Sequence, residues 1–101
     1  PTFNQRLVHQ VLATGMLPAH VAATRARYRA QRDAMATALA AHMPAGVRWQ
    51  VPTGGMFFWL TLPEGVDATA LLPRAVAAGV AFVPGGTFYP QGGHANTLRL
   101  S

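Results

Sequence analysis

The 101-residue sequence contains no cysteine and no lysine, and its single serine is the terminal Ser101. The absence of cysteine excludes disulfides, thiolate metal ligands and cysteine nucleophiles, and it fits a reducing compartment. Without lysine, all eight basic residues are arginine, and the P-loop pattern, which needs a lysine, is excluded. A serine triad has no candidate nucleophile within the chain. Cysteine-based sites, the P-loop and the serine triad are therefore excluded from the outset.

Acidic residues are also scarce, and the histidines are scattered. The three carboxylates are predicted on a helix face (Asp33), in a turn (Glu64) and at a helix cap (Asp67), so no pair is placed for acid and base roles. The four histidines lack metal-ligand spacing. We therefore expect no catalytic residue and no metal site in this chain.

Half of the residues are hydrophobic, which is enough for one compact domain with a modest core. No signal peptide is visible, and the uncharged stretch 75–98 is interrupted by prolines and glycines, so it cannot form a membrane helix. We predict a soluble, cytoplasmic protein without a membrane partner. Its start without methionine, and its end within a strand, suggest a piece of something longer.

Two helices are predicted in the first half. The first spans 4–14, with Asn4 as its cap and Gly15 at its end, because its apolar residues recur at helical spacing. The second begins at about His20, after Pro18, and runs to His42, where proline and glycine terminate it.

From residue 47 the apolar period changes to two, which predicts strands. Residues 47–51 and 56–62 are predicted to form a hairpin around the turn "PTGG". A helix capped by Asp67 follows and closes at Gly79, with a bend or a late start at Pro73. Strands at 80–84 and from Thr97 complete the chain, and the strand, helix, strand order implies a parallel crossover. The predicted fold is α+β: a small mixed sheet of about four strands with helices over one face.

Two features leave alternatives open. The pairs Gly54-Gly55, Gly85-Gly86 and Gly92-Gly93 fit no phosphate-binding pattern, and turn positions with positive φ explain them. In "NTLRLS" (96–101), alternation places Arg99 on the strand face away from its neighbouring leucines. That face either meets bulk water or holds something with a negative charge.

Four segments, in order, resemble the C-terminal part of fold-type-I pyridoxal-phosphate aminotransferases. They are "YRAQRDAMATAL" (28–39), "VPTGGMFFWLTLPEGVD" (51–67), "AGVAFVPGGTFYPQGG" (78–93) and "NTLRLS" (96–101). The resemblance is to the branch with 2-aminoadipate, aromatic and branched-chain amino acid transaminases. It implies that residues 18–101 are the small domain and that residues 1–17 return from a large domain.

The same resemblance implies how the chemistry is divided. Family members hold pyridoxal 5'-phosphate as a Schiff base on a lysine of the large domain, and this chain has no lysine. The fragment should therefore bind no cofactor and be inactive alone. The complete enzyme should act on amino acids and 2-oxo acids, and it should form a homodimer.

By the same resemblance, Arg99 binds the substrate α-carboxylate, since a guanidinium offers two parallel donors to a carboxylate. Gly54 and Gly55 would lie at the active-site mouth. The aromatic residues Phe57, Phe58 and Trp59 are interpreted as core residues of their strand.

Two rival interpretations remain. The same domain occurs behind a DNA-binding helix-turn-helix domain in transcriptional regulators, where it senses ligands. The arginines of the second helix could instead belong to a nucleic-acid-binding module, although no recognition motif surrounds them and we expect no nucleic-acid partner.

Overall fold

The computed structural model describes all residues, 1–101, which divide into two compact units, residues 1–34 and 35–101. Three α-helices are present: α1 (Thr2–Ala13), α2 (Leu17–His42) and α3 (Ala68–Ala77). The second unit contains four strands, with α3 between the second and the third: β1 (Arg48–Trp49), β2 (Phe58–Thr61), β3 (Val83–Pro84) and β4 (Thr97–Leu100). A short 3-10 helix, Gly85–Phe88, follows β3 directly. None of the helices is long and apolar enough to cross a membrane.

Both helices predicted in the first half of the chain exist, but each begins earlier than expected. The first starts at Thr2, because the Pro1 carbonyl already accepts a hydrogen bond from the Gln5 amide at 3.2 Å, so the predicted cap at Asn4 is wrong. It ends as predicted, with Gly15 at a φ of +75°. Helix α2 begins at Leu17 because Pro18 falls in its first turn, where a missing amide proton costs nothing.

The sheet has the order β1-β2-β4-β3, and every hydrogen-bonded pair is antiparallel. The hairpin of β1 and β2 is confirmed, with Trp49 opposite Leu60. The expectation of a mixed sheet is wrong, because no two neighbouring strands are parallel. Strands β2 and β3 do run parallel, as the crossover implied, but β4 lies between them and pairs with both.

Helix α3 begins at Ala68, directly after its predicted cap. The Asp67 carboxylate accepts hydrogen bonds from the amides of Thr69 and Ala70, at 2.9 and 3.4 Å. The late start considered for Pro73 is wrong, since the proline lies within the helix. The following strand is shorter than predicted, because the Val80 amide donates to a carbonyl of α3 rather than to the sheet.

The core lies on one face of the sheet. Phe58 and Leu60 of β2 stand opposite Leu100 and Leu98 of β4, and this face meets α2 through Leu39 and α3 through Ala68. Helices thus cover the leucine face, which confirms the α+β class and its layering. The other face carries Trp59 and Arg99, and it lies outside the core cluster.

Candidate functional site

Arg99 lies in the central part of the sheet. Its strand, β4, pairs on one side with β2 and on the other with β3, and Arg99 stands opposite Trp59 and Val83. The leucines on either side of it point into the core, as the alternation predicted. The backbone of Arg99 is therefore held from both sides, while its side chain leaves the sheet on the face away from the core.

Two phenyl rings contact the Arg99 guanidinium. Its Cζ lies 4.0 Å from the centroid of the Phe57 ring and 5.1 Å from that of Phe88, both within the range of a cation–π interaction. The side chain of Arg99 makes no hydrogen bond or ion pair within the chain, and the residue is half-buried. The result is a positively charged group that is held by rings while its N–H donors stay without a partner.

Phe88 packs within a larger group of aromatic rings on this face. Trp59 packs edge-to-face against Phe88 (5.9 Å between centroids) and against Tyr89 (6.3 Å). The ring of Tyr89 in turn stacks on His94 at 3.8 Å. We call Phe57, Trp59, Phe88, Tyr89 and His94 the aromatic cluster.

The interpretation of all three aromatic residues at 57–59 as core is wrong for two of them. Phe58 is 5% exposed and belongs to the core, whereas Phe57 is 40% and Trp59 37% exposed. The physical reason is the period of a strand: neighbours of a buried residue point to the opposite face. Period two, applied to "FFW", was the signal that could have separated these residues.

Gly85 brings Phe88 to this face. A Cβ on Gly85 would contact Thr97 Oγ1 and would lie 2.7 Å from Thr97 Cβ and 2.8 Å from Trp59 Cη2, distances that real Cβ atoms do not show. The 3-10 helix can thus lie directly on the sheet only because residue 85 has no side chain. The explanation by positive φ is wrong for Gly85 and holds for residues such as Gly55.

Gly54 and Gly55 lie in the turn between β1 and β2, and Gly55 has a φ of +76°. A Cβ on either glycine would meet no atom within 4 Å. Gly54 lines an open groove of about 950 Å³, whose walls also include Phe57 and Trp59 of the aromatic cluster. The groove and the Arg99 site therefore share two aromatic side chains.

Comparison with known proteins agrees with this architecture, although no family model matches the chain. It is 45% identical over 100 residues to an aromatic-amino-acid aminotransferase of Thermococcus litoralis, covering 99% of this chain and 24% of the relative. It is 46% identical over 101 residues to a 2-aminoadipate transaminase of Thermus thermophilus, covering 100% of this chain and 25% of the relative. The chain thus spans about a quarter of the length of these curated relatives.

A solved structure gives the same result. The alpha-aminoadipate aminotransferase LysN of Thermus thermophilus, crystallised with N-(5'-phosphopyridoxyl)-L-leucine, matches with a TM-score of 0.90 and 46% identity. The match covers 97% of this chain and 25% of that protein. This chain belongs to the aminotransferase family and matches the C-terminal small domain of its members. The resemblance of the four sequence motifs is confirmed.

A similarity to regulators is also present. The helix-turn-helix transcriptional regulator TauR of Rhodobacter capsulatus is 34% identical over 98 residues, covering 96% of this chain and 20% of the regulator. This match is weaker than the matches to the two transaminases. The regulator interpretation therefore remains the second candidate.

Proposed function

We propose that the complete protein is an aminotransferase that transfers an amino group between an amino acid and a 2-oxo acid, and that this chain supplies Arg99 as the residue that binds the substrate α-carboxylate. The single observation that carries the assignment is an arginine without a protein anion, placed within a chain 45–46% identical to transaminases. Aromatic and 2-aminoadipate substrates, named for those relatives, are the first to test.

The chemistry of Arg99 suits this role. A guanidinium is planar and stays charged at every physiological pH, and it can give two parallel N–H donors to one carboxylate. The N–H donors of Arg99 have no partner within the chain. None of the three acidic side chains of the chain pairs with this arginine. An arriving carboxylate would thus have no protein anion to displace.

The residues of this chain do not fit a covalently held cofactor. Pyridoxal phosphate is bonded to a lysine amine in this family by the resemblance, and the chain has no lysine. We therefore propose that the cofactor is held by a large domain outside these residues and that the fragment is inactive alone. Residues 1–17 would return from that domain and residues 18–101 form the small domain, with the complete enzyme acting as a homodimer.

We also propose that Gly54 and Gly55 lie at the mouth of the active site. Two observations support this placement: no atom lies within 4 Å of where their Cβ atoms would be, and Gly54 shares its groove with Phe57, which contacts Arg99. Two adjacent turn positions without side chains would leave the approach to Arg99 open to a substrate.

The test of the carboxylate assignment is Arg99→Ala in the complete protein. Removing one partner of a desolvated carboxylate pair costs about 2–5 kcal/mol, so kcat/KM for the amino acid should fall roughly 30- to 4,000-fold. Cofactor loading, measured by absorbance, should survive because the cofactor lies elsewhere. The matched control is Arg74→Ala, which removes an exposed arginine of α3. If kcat/KM in the Arg99 variant equals that of the Arg74 variant, the assignment is wrong.

The regulator interpretation is favoured by the match to TauR and predicts a different whole protein. In that case a DNA-binding domain precedes this region, and the aminotransferase-like domain senses a ligand. The sequence upstream of residue 1 distinguishes the two: a winged-helix domain supports the regulator, and its absence together with measured transamination supports the enzyme.

A further inference from the structure

We propose that Phe57 and Phe88 are positioning residues that hold the Arg99 guanidinium ready for a carboxylate. This inference rests on the proposed function of Arg99 and extends it to Phe88 and to Phe57, which the sequence analysis interpreted as a core residue. The observation that carries it is the pair of ring contacts, at 4.0 and 5.1 Å from Cζ, on an arginine with no other side-chain partner.

Rings are suited to this task because they do not compete with the ligand. The attraction between a cation and the face of a ring uses the positive charge but takes up no N–H donor, since a phenyl ring offers no oxygen or nitrogen acceptor. A carboxylate partner would hold Arg99 equally well, but it would occupy the donors and neutralise the charge. The chain instead places its carboxylates elsewhere: Asp67 caps α3 and Asp33 pairs with Arg32.

Holding the side chain in advance favours binding. A free arginine side chain samples many rotamers, and much of this freedom is lost when the side chain is fixed on a ligand. Ring contacts that restrict the side chain beforehand reduce this loss at the moment of binding. The two rings should therefore raise affinity for any ligand that Arg99 binds through a carboxylate.

The two rings are themselves fixed by rigid parts of the fold. Phe57 directly precedes the buried Phe58, which anchors the start of β2 in the core. Phe88 ends the 3-10 helix that Gly85 seats against the sheet, and its ring packs edge-to-face with Trp59. Positioning groups that rest on packed elements hold their geometry better than groups on a free loop.

The test uses the complete protein and the variants Phe57→Leu and Phe88→Leu, which keep an apolar side chain but remove the ring. Each should raise KM about 3- to 10-fold, the range of a partly exposed cation–π contact, with a smaller change in kcat. L-leucine, L-phenylalanine and L-2-aminoadipate are the probes, and KM is compared for those that are turned over. The fold-change should be the same for each, because the α-carboxylate is common to all of them.

Controls separate positioning from general damage. Phe57→Tyr and Phe88→Tyr retain the aromatic face and should recover most of the loss. Tyr28→Leu removes an equally exposed ring from α2 and should leave KM unchanged. In an Arg99→Gln background, Phe57→Leu should have no further effect, which a merely structural role of the ring would not produce.

The outcomes distinguish this inference from the function on which it rests. If Arg99→Gln lowers kcat/KM strongly but neither leucine variant changes KM, the positioning role is refuted and the Arg99 assignment stands. Fold-changes that differ among the three amino acids would also refute it, because they would make the rings part of a side-chain pocket. An unchanged kcat/KM in Arg99→Gln would refute the proposed function itself.

Discussion

Replacing Gly85 by alanine should destabilise the fold more than a single methyl group suggests. The new Cβ would contact Thr97 Oγ1 and would lie within 2.8 Å of both Thr97 Cβ and Trp59 Cη2. Thr97 is buried and belongs to β4, so it cannot move away at little cost. Inserting a carbon into such a packed site typically costs about 1–3 kcal/mol.

A second contribution comes from a hydrogen bond. The Thr97 hydroxyl donates to the His94 carbonyl at 2.7 Å, and a displaced Thr97 would lose this bond, at about 1 kcal/mol. Alanine restricts the unfolded chain more than glycine does. Where the backbone conformation is compatible, this increases the free energy of unfolding by about 0.4–1 kcal/mol and partly offsets the loss. The expected net loss in the free energy of unfolding is therefore about 1–3 kcal/mol.

The assay is urea unfolding of the chain followed by the fluorescence of its two tryptophans. Gly86 provides a matched control within the same 3-10 helix, because its added Cβ would meet only the Gly93 carbonyl oxygen at 3.7 Å, an ordinary contact. Gly85→Ala should shift the midpoint clearly to lower urea, and Gly86→Ala should not. Equal midpoints for the two variants would refute the close-approach argument.

Two further stability predictions use the same measurement. Asp67→Ala removes the cap that accepts from Thr69 and Ala70, and it should cost about 1 kcal/mol, while Asp67→Asn should retain most of that stability; equal losses in both variants would contradict the capping role. Leu60→Ala empties a site that is 2% exposed and should cost about 2–5 kcal/mol, whereas the control Val51→Ala, at a half-exposed position, should change stability by about 0.5 kcal/mol or less. If Leu60→Ala and Val51→Ala lowered the free energy of unfolding by similar amounts, Leu60 would not be central to the core.

Helix ends and the hairpin could be predicted from the sequence, because their signals lie in a few neighbouring residues. The cap at Asp67, the end of α1 at Gly15 and the β1–β2 hairpin depend on neighbouring residues, and all three are present. The start of α1 at Thr2 differs from the predicted start because Asn4 is a favoured capping residue, yet the structure continues the helix beyond it. The third strand is shorter than its apolar pattern predicts, because the hydrogen bond of the Val80 amide to α3 has no local signal in the sequence.

Pairing between distant segments could not be predicted from local patterns. The last strand in the chain lies between two earlier ones, and nothing in residues 97–100 indicates that they pair with both. The same holds for the site. Alternation predicted the face of Arg99, but the rings that contact it come from positions 42 and 11 residues earlier, and only the sheet order brings Phe57 and Phe88 to that face.

The position of Arg99 explains how one side chain can combine precise placement with unused donors. Its strand is hydrogen-bonded on both sides, and the flanking Leu98 and Leu100 pack with the core, so its Cα has little freedom. What remains free is the rotation of a long side chain, and that freedom is limited by Phe57 and Phe88 without the use of a single N–H group. Strand pairing and core packing thus restrict the backbone, while the rings restrict the side chain. Because none of the three consumes the charge or the donors, the binding capacity of the guanidinium remains available to a carboxylate supplied from outside the chain.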